Sequence, residues 1–292
     1  MIIEKESDIR VLRNFCNNPF DYFSIAEISG RTGISRNWIY TVINKFEKNL
    51  ILSKSGKKHK LNFSNIFCKK LKLLLDSEYA ILSPKKERIM DIANKILFEI
   101  SPKSIVLVGS VAVQKMKEKS DIDFLVIGKT KKNKVPYFEN TNIVTLSEKE
   151  FEEKYAKGDD FVISALIFGK IIHDTGFFIR FLENPLPIFS QELIQEKIKY
   201  CEILEERVYS LLKTDGEQAK EELLYLALQA ARIVLLKNGI MPGTKHDIAA
   251  QVSGFDKEME KIIKKLLEQE KISKRKMLDY IKNCMRRVRG SS

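Results

Sequence analysis

A chain of 292 residues is too long for one small core, so two or three domains are expected. Hydrophobic residues at 44% and charged residues at 31% exclude a largely disordered chain, and the scattered Cys16, Cys68, Cys201 and Cys284 offer neither a disulfide framework nor a zinc cluster. A net charge of +12 favours a polyanionic partner; no apolar run reaches the ~18 residues of a membrane span, so the chain reads as cytoplasmic with no membrane partner.

Residues 4–16 have helical spacing, with Ile9, Leu12 and Cys16 on one face. Ser24-Ile-Ala-Glu27 is a capping-box pattern that opens a short helix, which Gly30 and Gly33 end. Ser35 caps a second helix, in which Trp38, Ile39, Val42, Ile43 and Phe46 recur at intervals of three and four residues. Leu50-Ile51-Leu52 and Lys60-Leu61-Asn62-Phe63 read as short strands flanking a lysine-rich loop, Ser53 to His59. Nine lysines lie between Lys45 and Lys72 against the single acid Glu47.

Residues 65–80 read as a connecting helix, and Ser83-Pro84 marks a boundary. Arg88 to Ile100 is amphipathic and stops at Pro102. The apolar runs Ile105–Val108, Ile122–Ile127 and Asn142–Leu146 read as strands, giving an α/β plan. Gly109-Ser110-Val-Ala112 ends the first of them, and Ser120-Asp121-Ile-Asp123 opens the second. Two aspartates two apart on a strand share a face and form a hard oxygen site suited to Mg²⁺. Gly109 lets backbone approach phosphate closely, and Ser110 at a helix start adds donors. Phe161–Phe168 and Lys170–Asp174 follow as a helix and a strand.

After the linker Asn184-Pro-Leu-Pro187, three to five helices are expected, at about 190–213, 217–238, 246–269 and 273–289. Leu223, Leu226, Ala227, Ala230 and Ala231 form the core stripe of a helical bundle. Between Lys271 and Arg289 eight bases stand against Asp279, a basic amphipathic helix that can lie on a membrane, dock a partner or bind phosphates; an RNA or DNA backbone is the preferred partner and a solvated helix face the main competitor.

These motifs resemble known families. Gly109-Ser110-x-Ala112 followed by Ser120-Asp121-x-Asp123 is similar to the signature of the DNA polymerase β-like nucleotidyltransferases. About residues 5–65 resemble a winged helix-turn-helix, and Ala230-Ala-Arg232 with Gly239-Ile-Met-Pro242 resembles HEPN-like helical domains. The resemblance implies a multidomain α+β chain: winged helix-turn-helix with connecting helix (1–80), a central α/β nucleotidyltransferase domain with a mixed sheet (81–187) and a C-terminal helical bundle (188–289). It implies Asp121 and Asp123 as catalytic metal ligands for Mg²⁺ or Mn²⁺, and Gly109, Ser110 and Ser120 as nucleotide-binding residues. It further implies Arg36, Asn37, Tyr40 and Thr41 facing a nucleic-acid groove, with Lys54, Lys57, Lys58 and Lys60 on phosphates.

The implied activity is transfer of a nucleoside monophosphate from an NTP to a nucleic-acid or protein acceptor, with loss of pyrophosphate. Three positions depart from the family pattern. Gln114 stands where the signature has its last glycine, Val111 where an arginine is frequent, and Asn142 where the third carboxylate falls. Glu139, Asp159 and Asp160 are the acids that could stand in for it. Asn142 keeps a second reading open, a DNA-binding transcriptional regulator whose transferase fold is inactive or senses nucleotides. A small-molecule-modifying transferase is a third. Neither the oligomeric state nor the choice of DNA or RNA is written in the sequence.

Overall fold

The computed structural model describes residues 2–116, 120–128, 137–243, 245–268 and 272–290, with the side chains of residues 245 and 246 left aside. The chain forms two compact units, one of residues 1–153 and 165–186, the other of residues 154–164 and 187–292. No helix among the described residues is long and apolar enough to cross a membrane.

The first unit opens with α1 (Glu6–Asn17), β1 (Phe23–Ser24), α2 (Ile25–Thr32), α3 (Arg36–Lys48), β2 (Leu52–Ser55) and β3 (Lys58–Leu61). Ser24 and Glu27 close the expected capping box, each accepting from the other's backbone N–H. The helix they start runs through Gly30 and ends at Gly33, whose φ of +70° is the left-handed conformation that closes helices. Val11, Phe15, Ile28, Ile39, Ile43 and Phe46 are buried and form the interior of this region.

The two strands expected around a long loop instead form a tight hairpin. They pair from Leu52↔Leu61 to Ser55↔Lys58, which leaves only Gly56-Lys57 as the turn. Gly56 takes φ +58°, as the first turn position of a two-residue hairpin demands, and that glycine moves both strands two residues inward. Phe23–Ser24 adds a third, two-residue strand on β3, too short to read from periodicity.

Next come α4 (Ile66–Leu82), α5 (Lys86–Ile100), β4 (Ser104–Val108), the single turn α6 (Gly109–Ala112), β5 (Ile122–Ile127), β6 (Thr141–Leu146), α7 (Glu148–Lys157), α8 (Asp160–Phe168) and β7 (Lys170–Asp174). The four strands make one mixed sheet in the order β6-β5-β4-β7, with β4 antiparallel to both neighbours and β5 parallel to β6. Every residue of β4 is buried, as its unbroken apolar run requires. The β7 edge is sealed by α4, where Asp76 Oδ2 accepts the Ile171 N–H at 2.9 Å. Phe151, Phe177 and Phe181 pack edge-to-face, with Phe178 tilted against Phe151, around a 3-10 turn at Ile179–Glu183.

The second unit holds α9 (Gln191–Thr214), α10 (Gly216–Lys237), α11 (Lys245–Val252), α12 (Lys257–Leu267) and α13 (Lys274–Arg289). Their shared core includes Leu223, Leu226, Ala227, Ala230 and Ala231 of α10, whose alanines allow close approach by the neighbouring helices. The helix expected over 246–269 is broken in two. Asp256 accepts the N–H groups of Glu258 and Met259, and so starts a new helix after Gly254-Phe255.

Asp160, at the start of α8, is 6% exposed and receives Lys197 Nζ at 2.7 Å and Arg232 Nη1 at 3.1 Å. Part of the basic face of α13 is neutralised: Arg287 is bound by Asp256 and Glu258, and Arg289 by Glu205 at 2.7 Å. Lys271 lies outside the described residues.

Candidate functional site

The site is built where β4, β5 and β6 run side by side. Antiparallel pairing places Asp123 opposite Val108, the residue before Gly109. Parallel pairing places Asn142 opposite Asp123 on the other side. Asp121 lies one residue ahead of β5, whose first residue is tied to the neighbouring chain by the Ile122 N–H donating to Asn140 O at 3.1 Å. Ile122 and Phe124 are buried while Asp121 is exposed and Asp123 half-buried, so the alternation turns both carboxylates away from the core.

Gly109 is there for two reasons. Its φ is +71°, and a Cβ on it would collide with Asp123 Oδ2 while lying 3.0 Å from Asp123 Cγ and 3.3 Å from its Cβ. The glycine backbone is thus packed directly against the candidate metal-binding carboxylate. From the other side Asn142 Nδ2 donates to Asp123 Oδ1 at 2.8 Å. Asn142 therefore stands beside Asp123 as a neutral donor.

Ser110 is the second residue of α6, and its carbonyl accepts the Lys115 N–H at 3.0 Å, closing the turn after the strand. Gln114 has φ +57°, so the chain keeps a glycine-type conformation where the signature's glycine is absent. Ser120 is half-buried and its carbonyl accepts from Lys85 Nζ.

Sequence reasoning missed three side chains that hold these loops. Tyr79 Oη donates to Val111 O at 2.6 Å, and burial pushes its phenol pKa up despite the opposing backbone hydrogen bond at Gln114. Lys85 grips Ser120 O, and Arg88 donates to Glu139 O ahead of β6. All three come from α4 and α5 or the turn between them, and no local pattern announces an interaction between residues more than thirty positions apart.

Of the acids considered as replacements for a third carboxylate, Glu139 is exposed in the turn before β6. Asp159 and Asp160 belong to the second unit, where they are engaged by Lys154 and by the Lys197–Arg232 pair. No group of three or more His, Cys, Asp or Glu side chains able to hold a metal occurs among the described residues.

At the N-terminal end, Arg36, Asn37, Tyr40 and Thr41 all lie on the exposed face of α3, with the Thr41 hydroxyl turned back to Asn37 O at 3.2 Å. The four hairpin lysines divide. Lys54 and Lys57 are exposed, and their side chains make no hydrogen bond or ion pair among the described residues. Lys58 lies 3.4 Å from Glu27, a weak exposed pair. Lys60 is half-buried, 5.6 Å from the Phe20 ring and 5.7 Å from that of Tyr22, and desolvation lowers its pKa. Its surroundings are aromatic, and it is the least available of the four for a phosphate.

Comparison with known proteins bears on the middle of the chain. Residues 89–189, which include β4 to β7 and both aspartates, match the family model of the nucleotidyltransferase domain. No curated protein matches. Among solved structures, the chain is similar to a nucleotidyltransferase-like protein from Exiguobacterium sibiricum 255-15 over 69% of its own length and 74% of the other, at 15% identity and a TM-score of 0.39.

Proposed function

We propose that the protein is a divalent-metal-dependent nucleotidyltransferase that moves a nucleoside monophosphate from an NTP to a nucleic-acid or protein acceptor. The observation that carries this reading is the packing of Gly109 against Asp123, which puts a side-chain-free stretch of backbone beside the carboxylate. A phosphate chain and the cation that screens it need those two neighbours.

Asp121 and Asp123 fit a Mg²⁺ ion shared with nucleotide phosphates, because two hard anionic oxygens leave coordination positions for phosphate and water. Bound there, the ion would supply charge neutralisation at the phosphates. Gly109 leaves the phosphates room, and Ser110 offers a hydroxyl and an amide. Asn142 orients Asp123. An amide takes no proton at neutral pH, so the acceptor hydroxyl's proton leaves to Asp121, Asp123 or solvent.

About residues 5–65 act in this proposal as a winged helix that brings the transferase to nucleic acid. Support comes from the order helix, short strand, two helices and hairpin, and from the two unpaired hairpin lysines, Lys54 and Lys57, with Arg36, Asn37 and Tyr40 exposed on α3. Helices α9 to α13 are taken in this proposal as an accompanying HEPN-like bundle.

A second reading rests on Asn142: a nucleic-acid-binding regulator whose transferase fold senses Mg²⁺–NTP without turning it over. One experiment separates the two. The protein is incubated with each α-³²P-labelled NTP, Mg²⁺ or Mn²⁺, and RNA, DNA and protein acceptors. Label carried to an acceptor, and lost in Asp123→Asn, supports the enzyme. Metal-dependent NTP binding without transfer supports the sensor. Neither binding nor transfer overturns both.

A further inference from the structure

The sealed edge of the sheet carries an unusual charge count. Lys72 and Asp76 of α4 are 2% and 1% exposed, and Lys170, which opens β7, is 7% exposed. Asp76 Oδ2 is taken by Lys72 Nζ and by the Ile171 N–H, while its Oδ1 lies 4.0 Å from Lys170 Nζ. One carboxylate thus serves two ammonium groups in surroundings nearly free of water.

The remaining partners of Lys170 are not anions. Its Nζ donates to Asn17 Oδ1 at 2.7 Å and sits 5.1 Å from the centroid of the Tyr79 ring. Burial, then repulsion from Lys72, draws its pKa down to about 8, which still leaves it mainly charged at neutral pH. A buried surplus cation is costly to desolvate.

Lys170 is not sealed off. It lines a cleft of about 400 Å³ within the first unit, walled by Leu75, Leu82, Val113 and Phe168. The half-exposed pair Arg13–Glu78, 2.7 Å apart, forms part of the wall, and Tyr79 and Gln114 complete it towards the Gly109–Gln114 loop. The volume lies within the range of small-molecule pockets, and the lining mixes apolar side chains with a few polar ones, among which Arg13 and Glu78 are paired with each other and Lys170 has no carboxylate of its own.

We propose that this cleft is a binding site for a small organic anion with an apolar body, its anionic group on Lys170 and its body against Leu75, Leu82 and Phe168. The site is distinct from the aspartate pair and requires neither nucleotide nor metal. An occupant touches Tyr79 and Gln114, so it bears on the same loop that carries Gly109 and Ser110.

The test uses two probes that share one body, 2-naphthoate and neutral 2-naphthol, titrated calorimetrically into the full chain at pH 7. Saturable 1:1 binding of naphthoate is expected, at least tenfold tighter than naphthol. Lys170→Met should erase that preference, and Lys170→Arg should keep it. Leu82→Trp, at a 70% exposed position that tolerates a larger side chain, should block both probes. If Lys170→Met does not fold, Leu82→Trp and Lys170→Arg carry the test. Absence of saturable naphthoate binding in the wild type, or unchanged affinity in Leu82→Trp or in a folded Lys170→Met, overturns the proposal.

Discussion

Gly109→Ala tests the central packing of the site, because two separate costs can be assigned to it. The first is the left-handed backbone at φ +71°, about 1–2 kcal/mol for any residue with a Cβ. The second is the collision with Asp123. The carboxylate can swing clear only by leaving Asn142 Nδ2, and a hydrogen bond of this kind contributes about 0.5–1.5 kcal/mol. Together they predict a loss of roughly 1.5–3.5 kcal/mol. Gly33→Ala is the reference, since Gly33 has φ +70° but nothing within 4 Å of a built Cβ, so it should lose only the backbone cost.

In the background Asp123→Ala the clash with Oδ2 and Cγ is gone and only the 3.3 Å contact with Cβ remains, so the cost of Gly109→Ala should fall most of the way to the Gly33→Ala value. The two mutations are then coupled by about 1 kcal/mol in the double-mutant cycle. Trp38 is the protein's single tryptophan and lies in the same unit, so its fluorescence through a urea titration reports the relevant transition. Equal losses for Gly109→Ala and Gly33→Ala, or strict additivity with Asp123→Ala, would refute the argument.

Three further outcomes are expected. Lys54→Ala with Lys57→Ala should reduce the salt slope of duplex-DNA binding by about 0.9 for each phosphate left without its lysine, and Lys60→Ala should change it less; filter binding from low to high salt measures both. Gln114→Gly should raise stability by about 0.5–1 kcal/mol, left-handed strain being relieved by more than the added freedom of the unfolded chain costs; an unchanged urea midpoint would mean that the strain is absorbed elsewhere. Asp160→Asn strands Lys197 and Arg232 and should cost about 3–5 kcal/mol at neutral pH. Burial raises the Asp160 pKa, but Lys197 and Arg232 outweigh it and hold the carboxyl below the usual range. Its stabilisation is therefore complete above the unfolded pKa and is lost as pH falls through the folded one, so the gap between wild type and Asp160→Asn should close in acid and persist at pH 7.

Features specified by local chemistry were the ones legible in the sequence. Ser24 with Glu27, Ser35, and the apolar runs of β4 and β5 fix their elements within a few residues, so the order Gly109-Ser110 then Asp121-x-Asp123 falls on a strand-turn-strand frame from the sequence alone. The hairpin is hard to read because lysine-rich strands lack alternation, although Gly56 holds the signal. The helix break at Asp256 is hidden because the apolar positions on either side keep nearly the same phase. Tyr79 on Val111, Lys85 on Ser120, and Asp76 on the β7 edge have no signal to find. Each joins helices of the α4–α5 region to a strand end or loop, and only the tertiary arrangement brings them together.

The position of Asn142 has a consequence for how the site behaves without metal. Three converging carboxylates repel one another and need a cation to hold them; here the third group is a donor, and its 2.8 Å hydrogen bond already fixes Asp123 against Gly109. Asn142→Asp exchanges that attraction for two like charges on neighbouring parallel strands, at the registered pair Asp123↔142. The variant should therefore melt below the wild type in the presence of a chelator. It should also regain that loss as Mg²⁺ is added, because an ion that binds only the folded state stabilises by RT ln(1 + [Mg²⁺]/Kd). Wild-type melting should respond less to Mg²⁺ alone. If restored charge also gives or raises nucleotidyl transfer, the asparagine is what holds turnover down. If the wild type already transfers and the substitution leaves its rate unchanged, Asp121 and Asp123 are sufficient. Identical melting of the two proteins in chelator, with identical responses to Mg²⁺, would mean that residue 142 does not face the metal site at all.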